Sequence, residues 1–93
     1  MTNNNYQLPI ERHWHTQDII KVSKLVDDVL SVYETSMRRS NLLTAYRDFC
    51  DVIPSKGEQR KFDRDFEQQT GYSIYRTIQT AKASSKDRIR LGL

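Results

Sequence analysis

His13 and His15 flank Trp14 in the stretch "HWH" and are the only histidines of the 93-residue chain. Two imidazoles at this spacing can lie on one side of an extended segment and begin a metal site. A zinc ion needs two further ligands with a pairing of their own, and the single thiol, Cys50, falls within a predicted helix. We therefore expect no metal and no cofactor.

Nucleophilic catalysis has little support in the sequence. Cys50 lies between Phe49 and Asp51 on the predicted core side of its helix, where a thiol behaves as a small apolar group. The serines stand at predicted caps and turns, and no glycine-rich phosphate loop is present. These features argue against an enzyme, and no small-molecule substrate is evident.

The stretch "QQTGYSIYRTI" (68–78) could be a working site or a bend between two helices. The bend explains more residues, because Gly71 suits the left-handed position that ends a helix and Ser73 suits the N-cap of the next. Tyr72 then falls where an apolar residue packs against the previous helix, and we expect it to cover Phe66. Only Arg76 is left without a structural task.

The apolar spacing is helical almost throughout and predicts an all-α fold, a small four-helix bundle. The first helix is expected over 16–35, with Asp27 and Asp28 facing solvent, and Ser40 is expected to cap the second. Ser55 and Glu58 have the spacing of a capping box for the third. Residues 16–83 form one helical domain, preceded by an extended N-terminal arm (1–15) from which Trp14 covers the core edge.

Residues 84–93 lack a cap and a long apolar stripe, so the sequence predicts a flexible basic tail that is dispensable for stability. Residues 82–93 also carry the whole net charge of +3, with four cations against Asp87. Four cations can support only weak, non-specific nucleic-acid binding. A second candidate patch groups Arg38 and Arg39 with four cations of the third helix, Lys56, Arg60, Lys61 and Arg64, although acidic residues are interleaved with them. No apolar run is long enough to span a membrane, and a cytoplasmic location is expected.

Several short elements of the chain resemble uncharacterised protein family 0223. They are Pro9-Ile10, Trp14, Ile19, Tyr33-Glu34, Tyr46, Phe49, Pro54-Ser55-Lys56, Phe66-Glu67, Gly71-Tyr72-Ser73, Tyr75-Arg76 and Ala81-Lys82. Each element alone is weak, but together they are specific, and the resemblance extends over about residues 6–83 without a gap. The resemblance implies a compact, all-helical cytoplasmic protein of Gram-positive bacteria, and it implies no activity.

The function expected from these observations is a non-enzymatic helical module that binds another protein or a second copy of itself. Trp14, Tyr72, Tyr75 and Arg76 are the candidate partner surface, because aromatic residues and arginine are enriched in protein interfaces. Trp14 and Tyr72 are also natural core-completing residues, so Tyr75 is the stronger candidate. Weak, sequence-independent association with nucleic acid is the alternative function.

Overall fold

Four helices account for most of the chain, as the sequence predicts. The computed structural model describes residues 11–92. In chain order the helices are α1 (Thr16–Glu34), α2 (Arg39–Val52), α3 (Lys56–Thr70) and α4 (Ile74–Ala83). Two short strands, β1 (Met37–Arg38) and β2 (Arg88–Ile89), pair in an antiparallel ladder. The predicted arm lies largely within residues 1–10, outside the described part.

Helix α1 contributes the largest share of the core. Its apolar stripe buries five branched side chains against the other helices: Val22, Leu25, Val26, Val29 and Val32. Asp18 accepts a hydrogen bond from the backbone N–H of His15 (3.0 Å), which ties down the start of the helix. Trp14 directly precedes this turn and is only 9% exposed, so it packs at the core edge as expected.

The prediction that Asp27 and Asp28 face solvent is wrong for Asp28, which is 4% exposed. Lys24, one turn earlier, donates to both of its carboxylate oxygens at 2.8 and 2.9 Å. The pairing supplies the partner that a buried charge requires. Asp27 stays exposed, although partial burial and the neighbouring Asp28 carboxylate raise its pKa.

Helix α2 begins one residue before the predicted cap, Ser40, and its N-cap residue Arg38 makes no side-chain capping bond. The first amide of the helix, that of Arg39, instead donates to the backbone carbonyl of Asp87 at 2.7 Å. The Arg39 side chain donates through Nε to the carbonyl of Ala81, near the end of α4 (2.7 Å). Positive charge is favourable at that end of a helix. Long-range contacts therefore replace the local cap.

The turn between α3 and α4 is the bend that the sequence predicts. Gly71 ends α3 with φ of 82°, a left-handed backbone conformation that is unfavourable for residues with a side chain. Ser73 is the N-cap of α4, and its Oγ accepts from the N–H of Arg76 at 3.1 Å. Tyr72 is half-buried and its ring stacks on that of Tyr33 in α1, with 4.3 Å between ring centroids. The turn is thus held to α1 by an aromatic pair.

The remaining amides at the start of α4 are bound by side chains of other helices. Asp63 of α3 accepts from the N–H of Ile74 (2.7 Å) and from the N–H of Tyr75 (3.2 Å). The Tyr33 hydroxyl accepts from the N–H of Ser73 at 3.3 Å. The first amides of a helix otherwise lack intrahelical partners. Asp63 and Tyr33 therefore fix the position of α4 relative to α3 and α1.

The C-terminal segment is docked on the body, so the prediction of a flexible tail is wrong. Ile89 pairs with Met37 and is 3% exposed, within the hydrophobic core. The N–H of Leu91 donates to the carbonyl of Val32 at 2.9 Å. Gly92 lies so close to the chain that a β-carbon there would overlap the carbonyl oxygen of Tyr33. Two apolar side chains and one glycine thus anchor a segment whose composition is mostly polar.

None of the helices within residues 11–92 is both long enough and apolar enough to cross a membrane.

Replacing Asp63 tests the link between α3 and α4. Asp63→Ala removes the acceptor for two helix-start amides and should lower the free energy of unfolding by about 1–3 kcal/mol. Asp51→Ala, an exposed aspartate of α2, is the matched control and should change it by less than about 0.5 kcal/mol. Denaturant unfolding measures both. Equal stability of the two variants would contradict the role given to Asp63.

Replacing Ile89 tests the docking of the C-terminal segment. Ile89→Ala removes a buried side chain and should cost about 2–5 kcal/mol, whereas the exposed neighbour Arg90→Ala should cost less than about 0.5 kcal/mol. The same thermal or denaturant melts compare them with the parent. If Ile89→Ala unfolds at the same temperature or denaturant concentration as the parent, the segment does not contribute to the core.

Candidate functional site

The four residues predicted for a partner surface separate into two pairs. Trp14 and Tyr72 pack against the body, as described above. Tyr75 and Arg76 lie in the first turn of α4 and are exposed, with Tyr75 at 66%. Successive helical residues are rotated by about 100°, so Tyr75 falls outside the buried stripe of α4 that Ile74 and Ile78 belong to. The structure therefore keeps Tyr75 and Arg76 available for contacts and gives the other two structural tasks.

Tyr75 stands at the edge of a cleft of about 610 Å³ formed by α2, α3 and α4. Two aromatic residues of α2, Tyr46 and Phe49, contribute to its lining. Phe49 belongs to the buried core, and Tyr46 is half-buried beside it with 6.1 Å between ring centroids. The cleft thus reaches from the surface of α3 and α4 down to the core.

The α3 wall of the cleft is a row of basic side chains. Lys56, Arg60 and Arg64 recur every four residues, so they lie on one face of the helix, and all three are exposed. Within residues 11–92 the single ion pair between described side chains is Lys24–Asp28. The three cations of α3 therefore have no carboxylate within ion-pair distance in that part of the chain.

The α4 wall contributes Lys82, which lies over the Tyr46 ring at 5.6 Å from the centroid. This distance is within the range of a cation–π contact. Burial and a hydrogen bond with Cys50 raise the pKa of Tyr46 to about 12, with smaller electrostatic contributions from its surroundings. Tyr46 therefore remains a neutral phenol near neutral pH. Cys50 is half-buried, consistent with its predicted place on the inner side of α2.

Two carboxylates also line the cleft, and they differ in what they can do. Asp63 is occupied by the start of α4, and it accepts a third bond from the Ser73 hydroxyl at 3.3 Å. Glu67 is exposed at the same wall. The local charge of the cleft is thus positive, with one carboxylate already used by the fold.

A second cavity, of about 470 Å³, lies where the residues before α1 meet α2 and α3. Trp14 and His13 contribute to its lining, together with Lys61 and Asp65 of α3. His13 of the "HWH" stretch lines this cavity, whereas His15 does not. No cluster of three metal-ligating side chains occurs among residues 11–92.

Sequence reasoning found the cations of α3 but not their arrangement. It grouped them with Lys61, which lines the other cavity, and with Arg38 and Arg39, which lie at β1 and the start of α2. The spacing of 56, 60 and 64 was a usable signal, since it marks one helix face. The contacts of Asp63 and Tyr46 with α4 carry no local signal, because they depend on how α4 packs against α3 and α2.

The pKa of Tyr46 is open to direct measurement. Its raised pKa favours the neutral phenol of the folded state, so this contribution to stability is present below about pH 10 and is lost as pH rises through about 12. In a phenolate absorbance titration, Tyr46→Phe should remove the ionisation at highest pH. Tyr75→Phe is the control and should leave that step in place. If the step at highest pH is unchanged in Tyr46→Phe, the pKa of the Tyr46 phenol is not the raised one.

Comparison with known proteins agrees with the resemblance seen in the short elements. The sequence pattern of an uncharacterised protein family, UPF0223, matches residues 5–90. A UPF0223 protein of Streptococcus gordonii is 39% identical over 90 residues, covering 97% of this chain and 98% of the relative. One from Lactiplantibacillus plantarum is 39% identical (95% and 91% covered), and one from Bacillus mycoides is 38% identical (90% and 94% covered). These relatives come from Gram-positive bacteria. The chain belongs to the UPF0223 family.

Proposed function

We propose that this chain is a non-enzymatic module that binds a partner protein in the cytoplasm through the cleft between α2, α3 and α4. The main support for this proposal is the exposure of Tyr75, a large aromatic side chain that lines this cleft and is 66% exposed. Aromatic anchors beside a pocket contribute most of the binding energy at many protein interfaces. Arg76, the next residue, adds a second side chain of the interface type.

The chemistry of the cleft supports binding over catalysis. A general base needs a free group with a pKa near the working pH. The Asp63 carboxylate is engaged by the amides of Ile74 and Tyr75, and the pKa of Tyr46 is raised to about 12. Asp63 is thus committed to the fold, and Tyr46 is poorly suited to move protons near neutral pH.

The shape of the cleft favours a polypeptide over a small molecule. Small-molecule sites enclose most of the surface of their ligand. Here the rim consists of long, exposed side chains, among them Arg60, Arg64, Glu67 and Lys82. Such a rim can adapt to an extended chain, whereas it encloses a small ligand poorly.

A photoreactive side chain tests the location of this interface. With p-benzoylphenylalanine in place of Tyr75, illumination of cells should yield a covalent adduct with a partner protein. The matched control places the same group at Ile20, which is 59% exposed on α1 and outside the cleft. An adduct at position 75 that is absent at position 20 supports the proposal.

Tyr75→Ala provides the complementary measurement. It should weaken capture of the crosslinked partner by about tenfold or more, as expected for an aromatic anchor. The fold should be unaffected because the side chain is exposed. No adduct at position 75, or equal adducts at both positions, would overturn the proposal.

A further inference from the structure

We infer that the partner presents an extended acidic segment with carboxylates at every second residue, and that this segment lies along α3 in the cleft. The inference rests on the proposed function and concerns the chemistry of the partner. It is based on the spacing and the charge of three residues in the α3 wall, Lys56, Arg60 and Arg64.

The spacing of the cations suits an extended chain. Four residues of helix rise by about 6 Å, so the three basic side chains are spread over about 12 Å along α3. Side chains on one face of an extended strand recur about every 6.6 Å. Three alternate carboxylates of an extended segment therefore match the three cations, whereas consecutive carboxylates point to opposite faces.

The charge of the wall lacks a partner within the described part of the chain. The three cations form no ion pair with another described residue, and Asp63 beside them already binds α4. Lys82 lies on the opposite wall over Tyr46. An acidic segment would meet positive charge from both sides of the cleft, which favours fast and selective association.

The other polar groups of the cleft favour a peptide over a nucleic acid. Glu67 is an acceptor and Gln79 carries both a donor and an acceptor, so they can bind the N–H and C=O groups of a peptide. A phosphodiester backbone offers no N–H donor to Glu67, whereas a peptide backbone does. A basic wall with a carboxylate at one end thus suits a peptide backbone.

A second copy of this chain does not fit as the occupant. Its only acidic residues at alternate positions are Asp63, Asp65 and Glu67, all of which lie in α3. A helix does not present that spacing on one face. The segment must therefore come from a different protein.

Fluorescence anisotropy with two labelled peptides of equal composition tests the inference. One is Ser-Glu-Ser-Glu-Ser-Glu-Ser, and the other has the three glutamates in consecutive positions. The alternating peptide should bind several times more tightly, and added salt should weaken its binding. A labelled oligothymidylate of similar length is measured in parallel.

Charge reversal on the wall locates the binding. Arg60→Glu should weaken binding of the alternating peptide by about tenfold or more, because an attraction becomes a repulsion. Arg47→Glu makes the same charge change on the exposed side of α2, outside the cleft, and should change it by less than about twofold. Thermal melts of both variants check that the fold is retained.

Several results would overturn the inference: no peptide binding, equal binding of the two peptides, insensitivity to Arg60→Glu, or tighter binding of the oligothymidylate through Arg60. A partner that still crosslinks at position 75 under any of these results leaves the proposed function standing with a partner of other chemistry. Loss of both the peptide binding and the crosslink removes the proposed function as well.

Discussion

The start of α4 is the point at which the helices of this protein are joined. The amide of the N-cap residue and the amides of the first three helical residues each have an oxygen partner. Ser73 donates to the Tyr33 hydroxyl, Ile74 and Tyr75 donate to Asp63, and Arg76 donates to the Ser73 hydroxyl. Helix-start amides without partners are costly when they are shielded from water. Satisfying them with side chains of α1 and α3 holds α4 in one position and forms one wall of the cleft.

The same hydrogen bonds of Asp63 also affect the cations that line the α3 wall of the cleft. Asp63 keeps its negative charge, but its oxygens are directed to the amides at the positive end of α4 and, within residues 11–92, form no ion pair with the α3 cations. The neighbouring cations are left to face solvent. Hydrogen bonds that stabilise the fold thus also direct the Asp63 oxygens away from the cations of the candidate site.

The C-terminal segment shows how few residues are needed to dock a polar stretch. Ile89 enters the core, Leu91 donates to a carbonyl of α1, and Gly92 permits close approach to Tyr33. The basic side chains stay outside, and Arg88 donates to the Ser36 hydroxyl at 2.9 Å. The Arg88 side chain is therefore held on the body, close to the α1–α2 connection.

The sequence by itself determined the four helices, the left-handed glycine at position 71, the caps at Ser55 and Ser73, and the family. These features depend on residues within one or two turns of each other, and the local backbone has few alternatives. Only the tertiary structure decided the burial of Asp28, the docking of Ile89, the stacking of Tyr72 on Tyr33 and the cleft beside Tyr75. Each of the last three brings together residues far apart in the chain, and the burial of Asp28 is not predicted by the apolar pattern of α1. A hydrophobic pattern shows which face of a helix is buried, but it does not show which helix covers that face.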